Sequence, residues 1–182
     1  MQLANIVNLT LSSLTVIGQV VALTILILLI LDGRGNAKAG KALAFIGKNA
    51  IMLGFVVALI SMLGSLTYSD VLGFAPCKLC WYQRICMYPE VFLLGLALIR
   101  KEKAILPYAF LLAVIGEVIA LYHYVIQLGV LPAPCTVSGY SVSCAKVFVL
   151  QFGYITIPLM AFTAFILIML LMILGKRTQA VR

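Results

Sequence analysis

The residues from Leu11 to Leu31 read LSSLTVIGQVVALTILILLIL, and no charged side chain occurs among residues 1–31. A run of this length can cross about 30 Å of hydrocarbon as an α-helix. A secretory signal peptide would carry a basic start and a small-residue cleavage site before a polar segment. The sequence has neither feature here, so the run predicts a retained transmembrane helix.

The rest of the chain continues this apolar pattern. Its 182 residues are 64% hydrophobic and only 10% charged, and the mean hydropathy is +1.19. This composition excludes an ordinary soluble domain. Further apolar runs predict four more spans, at about residues 50–67, 81–99, 104–127 and 155–174. Residues 32–49, with their glycines and basic side chains, are predicted to form a loop.

The predicted fold class is therefore an all-α membrane protein. Residues 36–182 should form a four-helix transmembrane bundle core with two external cysteine loops, and residues 1–35 an additional N-terminal transmembrane helix. A sizeable soluble domain has no room in a chain of this length.

The basic residues predict the orientation of the spans. The net charge is +8, but the basic side chains lie at span ends and form no stripe interleaved with aromatics, which argues against a nucleic-acid partner. Ten of the thirteen Lys and Arg residues fall in 32–49, 100–103 and the C-terminal tail. That side should be cytoplasmic, with the N-terminus and both cysteine loops external and the C-terminus cytoplasmic.

The stretch Pro76-Cys77-Lys78-Leu79-Cys80-Trp81-Tyr82-Gln83-Arg84 begins the third predicted span. Two cysteines at this spacing can form a disulfide, bind a metal or cycle between dithiol and disulfide. Arg84 lies four residues after Cys80 and so on the same helix face, where its charge favours the reactive thiolate. Trp81 stands where a c-type haem motif needs His.

A second pair, Cys135 and Cys144, lies in the other external loop. Four cysteines facing an oxidising compartment allow a structural zinc site, two inert disulfides, or thiol–disulfide exchange. The spacing of the first pair and Arg84 favour exchange. Cys86 lies inside a span and reads as a packing residue. Two acids within spans, Glu90 and Glu117, suggest either local hydrogen bonding or a proton route.

The segment CKLCWYQR at residues 77–84, followed by Met87-Tyr88-Pro89, resembles the signature of the DsbB family, and more closely its Gram-positive-type BdbC branch. These are quinone-dependent membrane proteins that make disulfides for an extracytoplasmic thioredoxin-like partner. The resemblance covers about residues 45–175 and includes the second cysteine pair, His123, Gln127 and Pro158. The N-terminal span is additional to the four-helix core of that family.

The resemblance implies a thiol:quinone oxidoreductase in a prokaryotic plasma membrane. It would reoxidise a DsbA-like disulfide donor and pass electrons to ubiquinone or menaquinone, and so to the respiratory chain through the quinone pool. Cys135 would form the mixed disulfide with the partner, Cys144 would attack Cys77, and Cys80 would lie near the quinone.

The resemblance further implies that Arg84 and His123 bind the quinone, and no metal site is expected. Two alternatives remain open. One is a quinone or epoxide reductase of the vitamin K epoxide reductase-like kind, in which protein thiols supply the electrons. The other is a membrane scaffold with structural disulfides.

Overall fold

The computed structural model describes residues 2–132 and 142–180 of the chain. These residues form six α-helices: α1 (Gln2–Gly33), α2 (Ala37–Lys48), α3 (Ala50–Leu66), α4 (Lys78–Arg100), α5 (Leu106–Gln127) and α6 (Ile157–Ala180). A π-helical turn, Thr67–Val71, extends α3. Apart from one isolated bridge between Gln151 and Ile155, the described residues form no β-structure. The all-α fold class is confirmed.

Four of the helices are long and apolar enough to cross a membrane: α1, α3 with its π-helical turn, α5 and α6. The fourth helix, α4, has 23 residues, but Gln83, Arg84 and Glu90 lower its hydropathy. It packs against α3 and α5 inside the bundle. The chain is therefore a multi-pass membrane protein, as the apolar runs predict.

Small residues let α5 and α6 pack closely. Ala109, Ala113 and Ala120 of α5 are completely buried. At Gly116, on the same helix, a Cβ atom would collide with the ring of Phe165 of α6. Where no water drives helices together, close approach of this kind supplies the packing energy. The core formed by α3 to α6 holds the cysteine-bearing ends of its helices in fixed positions.

The prediction of a loop over residues 32–49 is wrong, because α2 occupies most of it. Asn36 caps α2, and its side-chain oxygen accepts hydrogen bonds from the backbone N–H groups of Lys38 (3.0 Å) and Ala39 (3.4 Å). Leu43 and Gly47 are buried together with Ala39, and these three positions follow the spacing of one helix face. The intervening lysines and glycines conceal this short face in the sequence.

Helix α1 is fixed to the core at its middle and at its C-terminal end. The Tyr154 hydroxyl donates a 2.9 Å hydrogen bond to the Gln19 side chain, whose amide lies 3.4 Å from the Thr163 hydroxyl of α6. At the far end, Asp32 and Arg177 form an ion pair of 2.6 Å. The division of the chain into an additional helix, residues 1–35, and a core, residues 36–182, stays a prediction.

The two cysteine loops meet at one end of the bundle, opposite the Asp32–Arg177 pair. Phe74, from the loop before α4, stacks between Tyr68 and Phe148, with ring centroids 5.8 Å and 5.0 Å apart. Phe148 belongs to the segment that follows Cys144. This aromatic stack therefore joins the loop before α4, which holds Cys77, to the segment that follows Cys144.

Candidate functional site

The first cysteine pair stands at the start of α4. Cys77 is the N-cap residue, and its sulfur accepts a hydrogen bond from the backbone N–H of Cys80 at 3.4 Å. The two Sγ atoms are 3.2 Å apart, and both cysteines are free thiols. A disulfide needs about 2.05 Å between the sulfurs. The sulfurs need to move only about 1 Å closer to bond, once an acceptor has taken two electrons and two protons from the dithiol.

The surroundings of Cys77, which precedes α4, favour its thiolate. The hydrogen bond from the Cys80 thiol, and then the hydrogen bond from His123, outweigh burial and lower the pKa of Cys77 to about 4. The position at a helix N-terminus acts in the same direction. The first proton lost from the dithiol is therefore that of Cys77.

His123, on α5, connects the two cysteine loops. Its Nε2 atom lies 3.6 Å from Cys77 Sγ and 3.1 Å from the carbonyl oxygen of Cys144. Because a carbonyl oxygen can only accept, Nε2 carries the hydrogen and donates it. The Gln83 side-chain amide is 3.1 Å from Nδ1 and donates to it. Gln83 thereby fixes the neutral tautomer that points an N–H group toward the Cys77 sulfur.

The second cysteine loop packs directly onto the first pair. Cys144 is completely buried and disulfide-bonded, and it packs in a cluster with Cys77, Leu79 and Ile126. We call Cys77, Cys80, His123 and Cys144 the sulfur cluster. Cys135 lies outside the described residues, so its predicted role stays a prediction.

Arg84 lies on the other side of the pair. Its Nε donates to the Ser65 hydroxyl at 2.9 Å, and its Nη2 donates to the Ser65 carbonyl at 3.0 Å. The guanidinium stacks over Trp81 and Tyr88, at 5.1 Å and 6.0 Å from their ring centroids. Among the described residues it has no carboxylate partner. Its positive charge is therefore held in place but not neutralised.

A cavity of about 430 Å³ opens beside Cys80 and Arg84. Gln83, Ser65 and Tyr88 line the same end, and apolar side chains of α1, α3 and α6 line the rest. Ligand pockets for small organic molecules are typically about 300–1,000 Å³ and mostly apolar. Cys80 faces this cavity, whereas Cys77 faces the second loop.

The structure brings together four of the six predicted site residues in the sulfur cluster and places a fifth, Arg84, at the cavity. The ring of His123 contacts the Cys77 sulfur and the Cys144 backbone, and its predicted part in quinone binding stays a prediction. The sequence analysis does not predict Gln83 or Ser65 as site residues. Gln83 lies three residues after Cys80 and is polar inside a span, which is a usable signal. Ser65 carries no signal of its own.

Three of these side chains offer a possible metal site. The donor atoms of Cys77, Cys80 and His123 all lie within 4.8 Å of one another. A closed structural zinc site takes four ligands, and among the described residues this group offers three. The absence of a bound metal stays a prediction.

The remaining candidates lie away from the site. Cys86 is a buried free thiol within the hydrophobic core, as expected of a packing residue. Glu90 is completely buried, and neither of its carboxylate oxygens has a hydrogen-bond partner among the described residues. One oxygen of Glu117 is likewise buried without a partner. A proton route through these acids stays a hypothesis.

Comparison with known proteins gives one family. Residues 47–175 match the family model "Disulfide bond formation protein DsbB". The chain is 45% identical to "Disulfide bond formation protein C" of Bacillus subtilis, with 71% of this chain and 96% of the relative covered. It is 38% identical to a "Probable disulfide formation protein" of Oceanobacillus iheyensis, covering 76% and 97% of the two chains. No solved structure gives a significant match.

Proposed function

The chain belongs to the family of disulfide bond formation protein DsbB, and from this membership we propose that it is a thiol:quinone oxidoreductase. It would reoxidise a DsbA-like, thioredoxin-fold disulfide donor and transfer the electrons to a membrane quinone, either ubiquinone or menaquinone. The family supports a role in disulfide formation. The partner and the acceptor are our proposals.

The first step is exchange between the partner and the second loop. A partner thiolate attacks the Cys135–Cys144 disulfide at Cys135 and forms a mixed disulfide, releasing Cys144 as a thiolate. The second partner thiol then displaces Cys135. The partner loses two electrons and two protons and becomes a disulfide, and the loop pair becomes a dithiol.

The second step moves the oxidation between the loops. The Cys144 thiolate attacks Cys77 of the Cys77–Cys80 disulfide and displaces Cys80, and Cys135 then attacks Cys144 and frees Cys77. The observation that carries this step is the contact of His123 Nε2 with both loops, 3.6 Å from Cys77 Sγ and 3.1 Å from Cys144 O. The N–H group of His123 would stabilise the Cys77 thiolate that leaves.

The third step restores the disulfide of the first pair. Formation of the Cys77–Cys80 disulfide releases two electrons and two protons, and a bound quinone would accept them. We place it in the cavity beside Cys80, which we now call the acceptor cavity. The guanidinium of Arg84 would bind the quinone oxygen and favour the negative charge that develops there.

The distribution of charge supports the proposed location. The basic ends of the helices are expected on the cytoplasmic side of a prokaryotic plasma membrane. The sulfur cluster would then face the oxidising, external side, where a soluble disulfide donor can reach it.

Reconstitution of the purified chain tests the proposal. The chain is mixed anaerobically with a reduced DsbA-like protein and a quinone, and quinol formation is followed by absorbance while partner thiols are counted. One quinol per partner disulfide is expected, and Cys80→Ser should abolish quinol formation. Partner oxidation without quinol formation would contradict the proposal, because the electrons would then have another destination.

A further inference from the structure

We propose that helix α1 forms one wall of the acceptor cavity, and that the hydrocarbon tail of the lipid quinone lies between α1 and α3. This inference rests on the proposed function and adds a binding element to it. The segment that matches the family begins at residue 47, so α1 (Gln2–Gly33) lies wholly outside it.

Close contacts hold α1 in a fixed place beside the cavity. A Cβ atom on Gly18 would lie 3.1 Å from Leu167 and 3.2 Å from Thr163 of α6, and one on Gly64 of α3 would lie 3.2 Å from Leu11. With the Gln19 and Asp32 contacts described above, α1 is attached along its length. A wall fixed in this way can shape a binding site.

The mouth of the cavity faces the lipid between α1 and α3. Leu14, Ile17 and Val21 of α1 line the cavity and are 41%, 58% and 44% exposed. Val56 and Ile60 of α3 line the opposite side and are 44% and 40% exposed. Apolar side chains that are half exposed on both sides of an opening leave a lateral entrance for a molecule dissolved in the bilayer.

The shape of the cavity fits a polar head with a long apolar chain. The lining runs along α3 from Ser65, beside Arg84, to Leu53, and twelve residues of helix correspond to about 18 Å. The hydroxyls of Thr15, Ser61 and Thr163 also line it, but each donates to a carbonyl of its own helix, at 2.8, 2.8 and 3.0 Å. Polar donors for a ligand therefore concentrate at the Arg84 end.

A quinone with an isoprenoid tail matches this arrangement better than a phospholipid does. Its ring oxygens would meet Arg84 next to Cys80, and its tail would follow the apolar lining toward the mouth. A phospholipid acyl chain alone would give the redox pair no acceptor.

Tail-length selectivity tests the proposal. The assay uses two menaquinones with the same ring, one with a single isoprenoid unit and one with four. Ile17→Trp and Val21→Trp narrow the mouth and should raise the KM for the long-tailed menaquinone about tenfold, while the KM for the short-tailed one changes less than about twofold. The matched control is Leu23→Trp, on the same helix at an equally exposed site away from the cavity lining.

A second measurement uses the unaltered chain and does not depend on the folding of a variant. A menaquinone with a diazirine in its third isoprenoid unit is photoactivated in nanodiscs, and the labelled peptides are identified by mass spectrometry. Labels on both α1 and α3 support the proposal. Labels only on α3 and α6, or equal effects of Ile17→Trp on both menaquinones, would overturn it while leaving the proposed function intact. If the unaltered chain reduces neither menaquinone and also fails to reduce ubiquinone, the proposed function fails, and this inference fails with it.

Discussion

Replacing Arg84 with Ala should impair quinone reduction far more than exchange with the protein partner. A guanidinium has five N–H donors, and two of these bond the Ser65 hydroxyl and carbonyl. Three are left for an oxygen in the acceptor cavity. Since a hydrogen bond to a charged group contributes about 1.5–3 kcal/mol, the KM for quinone should rise about ten- to a hundredfold.

Two further variants divide this effect into its parts. Arg84→Lys keeps the charge but loses the planar fork, so it should restore binding only in part. Ser65→Ala removes the 2.9 Å bond that orients the guanidinium but leaves the carbonyl bond, and we expect a rise in KM of about three- to tenfold.

The assay combines steady-state quinone reduction, over a range of quinone concentrations, with stopped-flow exchange against the reduced partner. Exchange should change far less in all three variants, because the partner would attack Cys135 in the second cysteine loop, whereas the hydrogen bonds of Arg84 go to Ser65. An unchanged quinone dependence in Arg84→Ala would refute the reasoning. Arg84 would then only extend its charged group to the lipid headgroups and would not bind the quinone.

Three other outcomes are expected. His123→Ala removes the Nε2–H donor and should raise the pKa of Cys77 from about 4. Thiolate absorbance should persist down to about pH 5 in the unaltered chain and in the control Tyr122→Ala, but should be lost at a higher pH in His123→Ala. An unchanged titration in His123→Ala would show that His123 takes no part in the exchange step. Cys135→Ser should abolish turnover of the partner while the Cys77–Cys80 pair still reduces quinone in one turnover; normal partner oxidation would show that the proposed order of exchange is wrong. A membrane-impermeant maleimide applied to reduced, intact cells should label the second cysteine loop, and labelling only in inverted vesicles would reverse the proposed orientation.

The sequence predicts most of the fold because its signals are local. Uninterrupted apolar runs mark the spans, and the charges beside them mark the sides. The sequence pattern does not predict helix α2, because the buried face of this helix has only a few small or apolar side chains among lysines and glycines. The apolar run does not show where α1 begins, since the helix starts at Gln2, nine residues before the run.

The site is harder to predict because it depends on packing between distant segments. The pattern CKLCWYQR identifies the redox pair and Arg84, but His123 lies 46 residues after Cys77. Its contact with sulfur depends on the rotation of α5 against α4, which no local pattern specifies. Ser65 becomes relevant only because α3 packs against α4 beside Arg84.

Formation of a disulfide between Cys77 and Cys144 tests the central claim most directly. The chain Cys80→Ser, Cys86→Ala, Cys135→Ser keeps only these two cysteines, and the matched control replaces Cys77 in place of Cys80. After mild oxidation, mass spectrometry of the proteolysed chain should find the Cys77–Cys144 disulfide in the first variant and far less Cys80–Cys144 disulfide in the control. Two free thiols in the first variant, or an equal yield in both, would contradict transfer between the loops through Cys77.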